Sequence, residues 1–103
     1  MRSSVALLLL LAAPVRAADP PPDFARDVLP VLSDFCFQCH GPNPHARQAQ
    51  LRLDTKEGLF RTRNGVTVVS PGKPDASELI ARLTSHDPDT VMPPPALKRK
   101  PTP

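Results

Sequence analysis

The chain holds two cysteines, and both fall in the run Cys36-Phe37-Gln38-Cys39-His40. A thiol pair three residues apart, with a histidine directly after it, can do a small number of things. A redox dithiol is one. In exported oxidoreductases such a pair follows a strand within a βαβ pattern, whereas here the preceding residues have a helical period and the chain is too short for that fold. Zinc is another, with Cys36, Cys39 and His40 joined by His45 or His86 as a fourth ligand. Structural zinc, however, usually draws on two paired clusters, and neither of those histidines belongs to one.

The third chemistry is covalent haem, for which C-x-x-C-H is the attachment pattern. Two thiols one helical turn apart can form thioethers to the two vinyl groups on one porphyrin edge. His40 is then placed beneath the ring to ligate the iron through an imidazole nitrogen. A haem iron takes a sixth ligand, and once Met1 is removed Met92 is the one methionine left. A single Met is more often a gap filler in a core. Met92 instead precedes Pro93, Pro94 and Pro95, in a segment without helical periodicity, and prolines that fix φ make a stiff strap. His45 and His86 are the bis-histidine alternatives, each in a polar turn. A porphyrin would also supply interior that the chain lacks, because there is no Trp or Tyr and the aromatics are Phe24, Phe35, Phe37 and Phe60.

The elements around the motif must present it outside the cytoplasm, where such haem is attached. Residues 1–17 read as a signal peptide: Arg2, then an apolar run from Val5 to Ala13 too short to span a bilayer, then Val15-Arg16-Ala17 before cleavage. An uncleaved anchor is the alternative; Ala18, and not a cysteine, directly follows the cleavage point, which argues against a lipoprotein. The formal charge of +3 falls to +1 without Arg2 and Arg16, and residues 18–97 carry 8 basic against 10 acidic residues. No basic face interleaved with aromatics is present, which sets nucleic-acid binding aside. Membrane insertion after cleavage is not expected.

Residues 18–22 (ADPPP) form a stiff linker. Asp23 caps a helix whose apolar positions are Phe24, Val28, Val31, Leu32 and Phe35, with Pro30 kinking or splitting it. The thiol pair lies at the C-terminal end of that helix or just past it. Leu51-Arg52-Leu53-Asp54 is a strand fragment or a single turn. Gly58 to Gly72 is irregular, with a brief extended piece around Val66, Val68 and Val69. Asp75-x-x-Glu78 opens a second helix, with Leu79, Ile80 and Leu83 as its buried side.

Taken together, FARDVLPVLSDFCFQCHGP, LRLD, VVSPGKPDASELIARL and DPDTVMPP resemble the planctomycete-type cytochrome c domain, over residues 24 to about 95. The resemblance implies an all-α, small cytochrome c-like domain over residues 23–97, wrapped around one covalent haem c. Its motif positions fall on Cys36 and Cys39 (thioethers), His40 (proximal ligand) and Met92 (distal ligand). Members commonly show glycines just before L-R-L-D, where this chain has Gln48-Ala49-Gln50. Residues 98–103 are a basic tail; Thr102-Pro103 reads as the start of a further helix, and the resemblance also implies a C-terminal helix and downstream domains. The function expected is single-electron transfer with redox partner proteins in the periplasm or an equivalent exported compartment. No constellation for catalysis by this segment is visible. The alternative is a haem-bearing structural or sensing module of a larger exported enzyme.

Overall fold

The computed structural model describes residues 12–102, so Arg2 and most of the Val5–Ala13 run lie outside the described residues. Residues 12–23 are exposed and without regular structure. Order begins at Asp23, whose extended backbone and side chain cap the first helix: its carboxylate accepts from Arg26 N–H at 2.8 Å, and Asp27 accepts from Asp23 N–H at 2.9 Å. Phe24–Val28 forms a wide, π-type turn that passes at Leu29 into α1 (Leu29–Phe35). Pro30 is the second residue of α1 and follows the π-type turn directly, so its missing N–H falls where one helical pitch gives way to the other. The expected split is therefore a change of helical pitch.

Cys36 interrupts the helix with φ −123° and ψ −37°, yet its N–H still bonds Leu32 O at 2.9 Å, so α2 (Phe37–His40) continues from α1. The buried hydrophobic core comprises Leu32, Leu53, Leu59 and Val68, with Cys36, Phe37, Leu51, Val69 and Leu79 half-buried against it. The other apolar positions of the first helix do not share this burial: Phe24, Val28 and Val31 remain 49%, 38% and 41% exposed.

Leu51–Asp54 is neither strand nor helical turn. It is irregular chain pinned where Leu53 N–H meets His40 O at 2.8 Å, with the Arg52 guanidinium forked onto the Asp54 carboxylate. Thr55 then caps a one-turn helix, α3 (Lys56–Leu59), by accepting from Gly58 N–H at 3.1 Å. Gly58 is required there, because a Cβ would stand 1.9 Å from Arg52 O. Next comes an antiparallel hairpin, β1 (Thr62–Arg63) with β2 (Val66–Thr67), Thr62 facing Thr67 and Arg63 facing Val66. Asn64 and Gly65, at φ 53° and 77°, close it with the primed turn that suits right-twisted strands. A two-stranded hairpin thus stands in a domain expected to be all-α.

Asp75 does not open the second long helix. It lies in a 3₁₀ turn, Pro74–Ala76, and Ser77 is the N-cap residue of α4 (Glu78–Thr84). α4 is docked by Leu79 N–H on Val68 O at 3.0 Å. Leu79 and Leu83 are half-buried and Ile80 is 39% exposed, so the side expected to be buried is only partly so. Beyond α4 the chain bends through Met92 into a 3₁₀ turn, Pro95–Leu97. Thr102 has no helical structure, and Pro103 lies outside the described residues. Among the described residues no helix is long and apolar enough to cross a membrane.

Candidate functional site

The thiol turn is built by local backbone bonds. Cys39 N–H and His40 N–H both reach Cys36 O, at 3.2 and 2.8 Å, which sets Cys36 and Cys39 one turn apart with His40 beside them. Both thiols are free and half-buried. Burial pushes the Cys36 thiol up from its ordinary range.

The loop after the turn folds back to cap it. Gln48 N–H donates to Cys39 O at 2.7 Å and Leu53 N–H to His40 O at 2.8 Å, satisfying carbonyls that a helix end leaves unpaired. Gly41 makes the fold-back possible, since a Cβ there would lie 2.2 Å from Phe37 O. The Arg47 guanidinium satisfies Gly41 O at 3.1 Å and Pro42 O at 3.3 Å. Ala49 and Gln50 take left-handed backbone at φ 53° and 52°, so the loop keeps a shape that glycine adopts most easily although neither residue is glycine. Arg61 braces the same loop through Gln50 O at 3.0 Å.

The result is a histidine held from behind. His40 is half-buried, and its Nδ1 is buried with no partner in hydrogen-bonding geometry. Burial lowers the pKa of the imidazole, and the backbone at Gln48 and Leu51 offsets part of that shift. A neutral imidazole whose Nδ1 is buried leaves Nε2 as the nitrogen to present to a metal. The sequence marked Gln48 and Leu51 as parts of the loop and of Leu51–Asp54 but did not connect them, or Arg47, with His40; only the glycine directly after His40 hinted that the chain turns tightly there.

Met92 is half-buried, and its N–H bonds Arg82 O at 3.0 Å, which hangs the methionine segment from the C-terminal turn of α4. Arg82 also pairs with Glu78 at 2.9 Å and reaches Thr90 O at 3.4 Å. The Met92–Pro93 peptide is cis. The structure brings Cys36, Cys39 and His40 together on one turn; it connects Met92 to them indirectly. α4 docks through Leu79 on the core that also packs Cys36 and Phe37. After Met92 the chain returns to α1, where the Arg99 guanidinium lies 5.2 Å from the centre of the Phe35 ring.

His45 and His86 are exposed, and His45 sits in an Asn43-capped turn (3.0 Å). Among the described residues no three His, Cys, Asp or Glu side chains converge as a metal site, so the zinc ligand set is not assembled. An apolar cleft of about 370 Å³, between Phe24 and Leu29 on one side and Leu53, Leu59 and Phe60 on the other, is lined by none of Cys36, Cys39, His40 or Met92. The residues at the thiol turn suit a haem: two free thiols on one turn, an imidazole whose buried Nδ1 has no partner, and half-buried apolar neighbours in Phe37 and Leu51.

Neither a curated protein nor a solved structure matches the chain. The family described as Planctomycete cytochrome C matches residues 36–96, from the first cysteine to just past the tripled proline. That span is more than half of the chain and includes the thiol turn, the loop that backs His40 and the Met92 segment. A haem-binding cytochrome domain is what such a match means, and the chain belongs to the planctomycete cytochrome C family.

Proposed function

We propose that the protein is a monohaem c-type cytochrome domain that relays single electrons between partner proteins in an exported compartment. The observation that carries the reading is the Cys36–His40 turn: two free thiols and one imidazole on a single helical turn, with the imidazole's Nδ1 buried and its loop clamped. Cys36 and Cys39 would hold the haem through thioethers, with His40 as its proximal ligand through Nε2 and Met92 as its distal ligand.

A bound haem supplies an iron centre that takes up and gives back one electron. The chain's own part is to set that centre's ligands and surroundings. Burial of Nδ1 limits the freedom of the His40 ring. Gln48 N–H and Leu53 N–H hold the backbone that carries it. The Met92 thioether, on a proline-stiffened strap tied to α4, favours the reduced iron and raises the potential. With His40 and Met92 both given to the iron, the domain would keep no open coordination site for small-molecule chemistry, and relaying electrons does not require a general acid, base or nucleophile.

The test uses protein produced with a haem-attachment system. Haem staining that survives a denaturing gel is expected for the parent and not for Cys36→Ser/Cys39→Ser. Met92→Ala is expected to keep the stain, alter the optical spectrum of the oxidised form and bind carbon monoxide tightly when reduced. An unstained parent overturns the covalent reading; an unchanged Met92→Ala spectrum overturns the distal assignment.

A further inference from the structure

We infer that Lys98, Arg99 and Lys100 form the docking face of this domain for an acidic redox protein, beside the edge of the haem that Cys36 would hold. This rests on the reading above and adds where a partner sits and what its surface carries. After the 3₁₀ turn Pro95–Leu97, Lys98 takes a left-handed backbone (φ 50°) with its N–H on Pro95 O at 3.1 Å, and the chain reverses toward α1. Arg99 then lies over Phe35 at 5.2 Å, a cation–ring contact that fixes the tail to the residue directly before Cys36.

The three cations are exposed, and none of the ion pairs among the described residues involves them; those are Arg26–Asp27, Arg52–Asp54 and Arg82–Glu78. Residues 18–97 carry two more acidic than basic side chains, so the tail makes a local positive pole on a body of slight negative charge. Such an asymmetry orients an approaching acidic surface even where net charge is small, and would bring it to Phe35, directly before the thiol turn. An anionic lipid surface is the less favoured occupant, because three cations are fewer than the four to eight that hold a polybasic segment on a membrane.

The experiment uses haem-loaded protein and four probes: hexacyanoferrate(III) as an anionic oxidant, tris(phenanthroline)cobalt(III) as a cationic one, poly-L-glutamate, and vesicles with about a third phosphatidylserine. Each oxidant takes one electron from the reduced protein with no atom transferred. Oxidation by the anion is expected to slow steeply as salt rises, while the cation shows no such fall. Lys98→Glu/Arg99→Glu/Lys100→Glu is expected to slow the anion roughly tenfold at low salt and to abolish calorimetric binding of poly-L-glutamate. Arg63→Glu/Lys73→Glu, on the hairpin and the turn before α4, serves as the control for net charge, and Lys98→Gln/Arg99→Gln/Lys100→Gln guards against misfolding.

The inference is overturned if both oxidants respond alike to salt, if the control variant loses as much as the tail variant, or if the tail binds vesicles in preference to poly-L-glutamate. Protein without covalent haem would instead sink the reading it rests on, so the two failures are distinguishable.

Discussion

Ala49 and Gln50 hold the loop behind His40 in left-handed backbone, a conformation in which an L residue's Cβ crowds the following carbonyl at about 1–2 kcal/mol per residue. Related domains commonly have glycine here, so this chain keeps the loop's shape without the residue that adopts it freely. The bonds that keep it are visible: Gln48 N–H on Cys39 O, Leu51 N–H on Gln48 O and the Arg61 guanidinium on Gln50 O. Ala49→Gly removes the crowding, and the greater freedom of glycine in the unfolded chain gives back about 0.4–1 kcal/mol. The expected outcome is a gain of about 0.5–1 kcal/mol, read as a rise of roughly 2–8 °C in the melting temperature of the haem-loaded protein. A fall would show that the loop does not rely on left-handed geometry at Ala49.

At the scale of elements, what was legible in the sequence was what is local. The Asp23 cap, the helical stripe through Phe35 and the placement of the thiol pair at that helix's end depend on residues within a few positions of one another. The helix α3 and the hairpin were not foreseen, although Thr55 three residues before Gly58 and the Asn64-Gly65 pair are each a signal of the kind that makes them. Both elements are too short for periodicity to show, and they persist because distant groups fasten their ends, as Leu53 N–H on His40 O and Val68 N–H on Arg61 O do. Ser77 is the instructive case. Spacing pointed to Asp75 as the start of α4, but the buried serine is the residue that matters. Its hydroxyl accepts from Ser70 N–H at 2.9 Å and donates to Lys73 O at 2.9 Å, closing the turn that aims α4 at the core. Ser77→Ala leaves the Ser70 N–H unsatisfied, while Lys73 O keeps the Ala76 N–H at 3.1 Å, and is expected to cost about 1–3 kcal/mol. Because α4 carries Met92 through Arg82 O, hydrogen exchange at the Leu79 and Met92 amides should accelerate together. Acceleration confined to residues 70–77 would show that the turn and α4 are not coupled.

For the whole molecule, the decisive fact is how little the polypeptide buries by itself. Among the described residues four hydrophobic side chains form the buried core, no large side chain is fully enclosed, and large apolar residues along the first helix stand 38–49% exposed. Domains of this size are marginal on their own cores and lean on a staple. The hydrogen-bonded clamps around His40 cannot replace one, since each net bond contributes only about 0.5–1.5 kcal/mol while ordering a residue's backbone costs about 1–2. A covalently held haem would act in two ways at once: it would add a large apolar body for Phe37, Leu51 and the strap around Met92 to pack on, and its attachment would survive unfolding, so that it is never lost by dilution. Cys36→Ser/Cys39→Ser keeps His40 and Met92 but removes that attachment. The variant purified without haem is expected to melt at least about 12 °C below the loaded parent, the shift that roughly 3 kcal/mol produces in a domain this small. It should also lose much of its helical circular dichroism, because α2 and α3 have one turn each and no independent means of persisting. A haem-free variant that melts cooperatively at the parent's temperature would mean that Leu32, Leu53, Leu59 and Val68 suffice, and that the thiol turn is an appendage to the fold and not its centre.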